Sequence, residues 1–373
     1  MNNYNKLPKR IRSVNRTGFS SLLLIVVFMI AVSCDQSSLP TGSDMVENDT
    51  AAMSSAKGKK APEGLVYNQH NGNYYSAIED LGITWDDTNA AVQELSYGKC
   101  QAHLATITSQ NEQDWVVNTF PNAVTQGYWL GGKQAPGSDE PAGGWEWVTG
   151  ETFFYTQWFA GEPNNANAGD ENNIHFLPTL FAGGDGGWND QNGNSTSYEI
   201  DGETIYSVEG YVVEYECPTK VTGGGQVLRD LTGNGDIQKR IYGFNAQKDG
   251  NLNIMGQAQS SLQNPDGSKV SFHTESTCLS VWDNNAWIGT RVTHSTDESV
   301  IPTGITILWR IVDNGQGKNA DDDLVGFYVR QFDPGTGEDL NLASFCSLQP
   351  TEDVFGPAYG ASFDLGKGNF QIH

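Results

Sequence analysis

The sequence predicts a small α+β domain followed by an all-β domain. Three observations lead there. Helical periodicity is confined to two short stretches between residues 84 and 120. Beyond them, β-branched and aromatic runs are cut short by Gly, Asn and Asp. The chain also holds 43 glycines and 40 aromatics, ten of them Trp, a composition of strands joined by many turns rather than of a helical bundle. About 340 residues follow the leader, too many for one ordinary domain and suited to two of roughly 150.

Residues 1–33 read as an address. Lys6, Lys9, Arg10, Arg12 and Arg16 precede an apolar run from Phe19 to Val32. Its 14 residues are too few for a transmembrane helix, which needs about 20, and suit a signal-peptide core. The run ends in Ala31-Val32-Ser33-Cys34, which resembles a bacterial lipobox. That resemblance implies a lipidated Cys34 and attachment to the bacterial cell envelope, at the outer membrane or cell surface. Residues 35–62 are small and polar without hydrophobic period, and read as a flexible linker.

Charge excludes several functions. The chain carries 45 acidic residues against 21 Lys and Arg, and five of those bases lie in the leader. A body this acidic repels phosphate backbones and anionic head groups, so no nucleic acid is expected as a partner. It tolerates a hard cation such as calcium. Four cysteines remain after Cys34, an even number in an exported chain. Of three possible connectivities, sequence position favours Cys100–Cys217 and Cys278–Cys346.

The first folded region spans 64–218. NGNYYSAIE reads as a strand. Thr84 is a helix N-cap, Trp85, Thr88, Val92 and Leu95 keep helical spacing, and Gly98 is placed to end the helix. Ser109-Gln110-Asn111-Glu112 is a capping box for a second helix, with Trp115, Val116 and Phe120 on its buried face. Leu104 and Ile107 read as core. The helical signal stops at Phe120, and the region closes on the strand EGYVVEYE.

Glu162-Pro163-Asn164, Gly169-Asp170-Glu171-Asn172-Asn173 and Trp188-Asn189-Asp190 place carboxylate and amide oxygens within 29 residues. Calcium takes about six to eight such oxygens from irregular backbone. Solvated acidic loops have a similar composition, so residue types alone leave the site undecided.

The order of landmarks is more informative. Cys100 precedes His103-Leu104-Ala105-Thr106-Ile107; then come the helix with Glu112, Trp129-Leu130-Gly131-Gly132, Glu162-Pro163-Asn164, Trp188-Asn189-Asp190 and a last strand with Cys217. Over Tyr74–Cys217, about 40 per cent of the chain, this resembles a C-type lectin domain. The resemblance implies an α+β fold of two helices, small antiparallel sheets and a long calcium-binding loop. It implies the Cys100–Cys217 disulfide and a cis Pro163. It implies Ca2+ held by Glu162, Asn164, Glu171, Asn189 and Asp190, and a sugar held by Glu162, Asn164, Glu171 and Asn189. The Glu-Pro-Asn order goes with mannose-type sugars in that family. Trp188 is expected to pack under the loop, and a second calcium near Asp170 or Asn172 is not expected.

The chain departs from the family pattern in three places. Asn173 stands at a cysteine position, and no cysteine follows Asp190 closely. About a dozen residues around Pro178 to Gly187 lengthen the loop. Gln191 to Ser207 form a further insertion whose alternation around Gly202 predicts an extra hairpin. Both insertions border the expected sugar site.

Residues 221–373 read as an antiparallel sandwich or barrel, with strands KRIYGFNAQ, LNIMGQAQS, KVSFHTEST, AWIGTRVTH, ITILWRIVD and VGFYVRQF. This part is similar to a β-module of unknown function found in secreted bacterial proteins. Asp230 to Asp236 reads as a turn, because Ile241 stands where a calcium loop needs glutamate. Asp321-Asp322-Asp323 reads as a solvated loop. The six histidines lack metal-ligand spacing and no nucleophile motif occurs, so an enzyme is not expected. His103 and His175 read as structural. The sequence thus points to a calcium-dependent, mannose-type carbohydrate-binding lipoprotein whose partners are a glycan and, through its lipid, a membrane. The alternative is an adhesin that binds a protein through the same fold, with calcium structural.

Overall fold

The structure is a computed structural model that describes residues 62–166, 171–178, 186–200, 203–230, 235–316, 320–330, 345–349, 363–364 and 367–373. The leader, Cys34, the linker and Asp170 lie outside these residues. So do most of the insertion after Pro178 and the centre of the Asp230–Asp236 turn.

In the first region the strands are β1 (Val66–Tyr67), β2 (Tyr74–Glu79), β3 (Ser96–Tyr97), β4 (Cys100–Leu104), β5 (Trp129–Gln134) and β6 (Trp145–Trp147). They continue with β7 (Asn173–Phe176), β8 (Trp188–Gln191), β9 (Ser197–Ile200), β10 (Glu203–Ser207) and β11 (Gly210–Glu216). The helices are α1 (Trp85–Gln93), α2 (Gln110–Thr119) and α3 (Pro121–Gln126).

Thr84 caps α1 by accepting from the Asp87 amide at 3.2 Å, and Trp85, Thr88 and Val92 are buried. The helix ends at Gln93, before Leu95; Gly98, with φ +62°, instead serves the tight β3–β4 turn. Ser109 caps α2 through the Glu112 amide at 3.2 Å. The Glu112 carboxylate reaches back to the Thr108 amide, at 2.8 Å, one residue earlier than a capping box requires. Helix α3 corrects the expectation of only two helices. It is one short turn longer than a loop, too short to show a period. Pro121 fits its first turn and Gly127, with φ +72°, ends it.

Strand β11 is the spine of the first domain. All seven of its residues are buried, and it pairs antiparallel with β2 and β4 and parallel with β5. The sheet continues from β5 through β7 to β8. The Cys100–Cys217 disulfide joins β4 to the end of β11. Trp129 and Leu130 are fully buried. Gly131 permits close approach of the neighbouring chain, since a Cβ there would lie 2.6 Å from the Leu104 carbonyl oxygen.

The second domain holds β12 (Thr219–Asp230), β13 (Ile237–Lys248), β14 (Ile254–Gln263), β15 (Lys269–Trp282) and β16 (Asn285–Ser295). It continues with β17 (Thr306–Val312), β18 (Leu324–Arg330), β19 (Phe363–Asp364) and β20 (Lys367–Ile372). All nine belong to one curled antiparallel sheet, so the barrel alternative describes it better than a two-sheet sandwich. β19 pairs with β18 and β20 with β12, so one C-terminal segment spans the two ends of the meander. Phe244, Phe272, Trp309 and Phe370 fill the inside. Sequence periodicity passed over β12 because of Gly223 to Gly225. Gly224 faces Gly243, and a Cβ on it would lie 2.5 Å from the Tyr242 carbonyl oxygen. The Asp321–Asp323 expectation is corrected in part. Asp321 and Asp322 are exposed, but Asp323 is buried and accepts from the amides of Asn314 (2.9 Å) and Phe370 (2.6 Å). The Cys278–Cys346 disulfide is formed.

The two domains are latched together. Lys248 of β13 pairs with Glu216 of β11 at 2.7 Å, both largely buried. His70 stacks on Trp282 (4.9 Å) and meets Asp283 at 2.5 Å, and Asn111 donates to Gln349 at 2.8 Å. Burial alone would lower the Lys248 ammonium, but Glu216, Glu151 and Glu214 more than reverse this and hold it above its ordinary value. Behind the latch, the Tyr75 hydroxyl lies 2.8 Å from both Glu112 and Glu214, giving its one hydrogen to one carboxyl and accepting from the protonated other, and Asn73 bridges Glu214 and Glu216. Burial, relieved in part by His103, pushes Glu214 up to about 7.

Lys248→Met is expected to cost about 3 kcal/mol of unfolding free energy, because Glu216 is left buried and unpaired. Urea denaturation measures it. Between about pH 4.5 and 7 the folded chain keeps a proton at Glu214 that the unfolded chain has released, so this group lowers stability as pH rises through that window. His175, which burial lowers to about 4, contributes the opposite slope in an overlapping range. The expected outcome is therefore a difference. Relative to the wild type, Glu214→Gln loses less stability as pH rises from 4.5 to 7, measured by denaturation at each pH.

Candidate functional site

The β7–β8 hairpin and the loop before it build the site. Gln157 accepts from the Trp188 amide at 2.7 Å, and Trp188 accepts from the Phe159 amide at 2.9 Å, so the loop is zipped to the start of β8. Trp188 is fully buried beneath it, against Trp147 (5.6 Å), Tyr155 (5.8 Å) and Trp158 (5.9 Å). Its indole N–H donates to Gln113 at 3.1 Å, which ties the hairpin to α2. No disulfide staples the hairpin. Instead the Trp85 amide at the start of α1 donates to the Gly193 carbonyl at 2.8 Å.

This scaffold brings the five expected metal ligands into one region. Glu162 and Asn164 lie on the loop across a cis Glu162–Pro163 peptide. Glu171 enters β7, and Asn189 and Asp190 lie on β8, in register with His175 and Ile174. The Asp190 carboxylate accepts from the amides of Asn164 (3.1 Å) and Asn165 (2.8 Å). The Glu171 carboxylate accepts from the Ala166 amide at 2.6 Å. Asn165, with φ +49°, makes the turn that presents these amides. Asp190 is 1 % exposed, Glu171 3 % and Asn189 7 %, while Glu162 is half-buried and Asn164 exposed.

The electrostatics favour a cation. Burial, then Asp190 and Glu171, push the Glu162 carboxyl up to about 7. Its Oε2 is buried and has no hydrogen-bond partner. Among the described residues, no ion pair is formed by Glu162 or Asp190. Three carboxylates and two amides, all oxygen donors, fit a hard ion such as calcium. The three carboxylates do not all converge within 4.8 Å. Among the described residues that distance is met by His103, Glu214 and Glu216. Those carboxylates are already engaged by Asn73, Tyr75 and Lys248 in the latch. In the loop, Asp190 and Glu171 are turned toward backbone amides, which explains their separation.

Two residues not expected at the site are found beside Asn189. The Asn189 amide Nδ2 donates to His175 Nε2 (3.1 Å) and to the Asp190 carbonyl (2.5 Å), and lies 3.4 Å from the Tyr206 hydroxyl. Burial keeps His175 neutral at ordinary pH, so its Nε2 can accept. This network leaves the Asn189 carbonyl oxygen outside it. Tyr206 comes from the β9–β10 hairpin that the alternation around Gly202 predicts. The alternation signals a hairpin but not where it folds, so sequence alone could not bring Tyr206 here.

Comparison with known proteins agrees with this geometry. The Lectin C-type domain family model matches residues 84–200. Halomucin from Haloquadratum walsbyi is 31% identical over 159 residues, 39% of this chain but 1% of that protein. C-type lectin lectoxin-Lio1 from Erythrolamprus poecilogyrus is 31% identical over 117 residues, 31% of this chain and 65% of its own. A perlucin-like protein from Mytilus galloprovincialis is 34% identical over 92 residues, 24% of this chain and 53% of its own. The chain thus spans 65% or less of each of these relatives. With the helices, the spine strand, the cis proline and the loop in the family's order, residues 84–200 lie in a C-type lectin domain, and a curled all-β domain follows it.

Proposed function

We propose that this protein binds carbohydrate through calcium at the loop of its lectin domain, and that it does so as an envelope-anchored lipoprotein. The observation that carries the reading is the placing of Glu162, Glu171 and Asp190 around one loop, with a buried Glu162 Oε2 that has no hydrogen-bond partner among the described residues. Glu162, Asn164, Glu171, Asn189 and Asp190 would hold the calcium, which offers open coordination to two vicinal sugar hydroxyls. Each hydroxyl can donate to a carboxylate and accept from an amide N–H. Asp190 and Glu171 keep the loop in place through the amides of Asn164 to Ala166. The Glu162-Pro163-Asn164 order favours mannose-type ligands. No reaction step is assigned to the site. Lipidation at Cys34 would cluster copies on the membrane, where avidity raises weak single-site affinity.

One observation favours a second reading, an adhesin for a protein partner with calcium structural. Asn189 Nδ2 has two acceptors inside the protein, which uses both its hydrogens and leaves none for a sugar.

Calorimetry separates the two. Calcium titrated into chelator-treated protein is expected to give saturable heat, and methyl α-mannoside added afterwards a second, calcium-dependent heat. Asn189→Ala with Asp190→Ala is expected to abolish both. Calcium heat with a silent glycan panel supports the adhesin. Glu162→Gln with Asn164→Asp is expected to move preference toward galactose-type sugars in a competition assay; unchanged preference would show that this pair does not read the sugar.

A further inference from the structure

The β9–β10 hairpin is an addition to the family pattern, and it folds against the calcium loop. From His175 a ladder of three rings rises out of the β7 floor. Tyr206 lies on His175 with centroids 5.6 Å apart, and Tyr198 stacks on Tyr206 at 5.4 Å and 16°. The middle ring is anchored beside the site. Its hydroxyl is 3.4 Å from Asn189 Nδ2.

The ladder's ends differ. Tyr206 has its ring between two others, so only its edge and hydroxyl can meet a ligand. Tyr198 is the terminal ring. One face is covered by Tyr206, it is only partly buried, and among the described residues it has no other ring contact. The segment leading to it, Gln191-Asn192-Gly193-Asn194-Ser195-Thr196-Ser197, carries amides and hydroxyls and no charge. A flat apolar face flanked by these amides and hydroxyls, with Glu199 next in the sequence, suits a pyranose, whose C–H face is apolar and whose hydroxyls lie at the edge. It does not suit an anionic polymer. Tyr198 stands one ring layer beyond Tyr206, whose hydroxyl meets Asn189.

We infer that the hairpin forms a second sugar subsite in which the outer face of Tyr198 takes the apolar face of the saccharide unit adjoining the one held at the calcium loop, so that the ligand is an oligosaccharide chain rather than a lone terminal sugar. This rests on the lectin reading above. Tyr206 sets the distance between the two subsites, and its hydroxyl supplies a polar contact where Asn189 Nδ2 is already engaged.

The test compares methyl α-mannoside with a linear mannotetraose, using the full chain at saturating calcium. In the wild type the tetraose is expected to bind more tightly. Tyr198→Ala is expected to weaken the tetraose about tenfold while leaving calcium and methyl α-mannoside affinities within about twofold. Tyr198→Trp is expected to restore the tetraose, which a merely folding role for the tyrosine would not predict. Equal loss for both sugars, or no loss for either, overturns the subsite and leaves the lectin reading standing. A wild type that binds calcium but neither sugar overturns both.

Discussion

Three carboxylates brought to one loop, where Asp190 and Glu171 add to burial in raising the Glu162 carboxyl, are the constraint on which this structure turns. Glu162, Glu171 and Asp190 come from a loop, a strand entry and a strand, and the zipper between residues 157–159 and Trp188 helps bring those segments together. The aromatic packing around Trp188 is the foundation of that zipper. Asp190 and Glu171 spend part of their hydrogen-bonding capacity on the loop amides, so the residues offered to a cation also shape the loop that offers them. Under the proposed reading, cation binding and loop order would be linked, the more so without the disulfide that Asn173 replaces.

The second domain is more than a trailing module. Its strands β13 and β15 and the short helical segment at 345–348 reach the first domain through Lys248, Trp282, Asp283 and Gln349. These contacts lie over a buried group of Glu112, Glu214 and Glu216, which Asn73, Tyr75 and Lys248 satisfy between them. Removing one member leaves others buried without partners, which makes this network costly to break. The lectin domain is thus joined to its neighbour by an ion pair, a ring stack and hydrogen bonds.

Much of this was legible in the sequence, for identifiable reasons. Thr84 and Ser109 announced their helices because a capping side chain has few other uses before an apolar period. The five candidate ligands could be named because their order along the chain carried the information that composition lacked. What was not legible has equally physical causes. Helix α3 is too short to show a period. Strand β12 hides behind three glycines that close packing against β13 requires. Asp323 reads as one of three solvated acids, yet long-range contact with Phe370 buries it. Tyr206 and His175 became part of the site through tertiary placement, and no local pattern encodes that.

The central claim is that the loop holds a calcium ion whose outer positions take a sugar. A crystal structure grown with calcium and methyl α-mannoside tests it most directly. The account predicts an ion bound by Glu162, Asn164, Glu171, Asn189 and Asp190, with two adjacent sugar hydroxyls completing its shell. An ion whose shell is closed by protein atoms alone, or no ion between these residues, would contradict it.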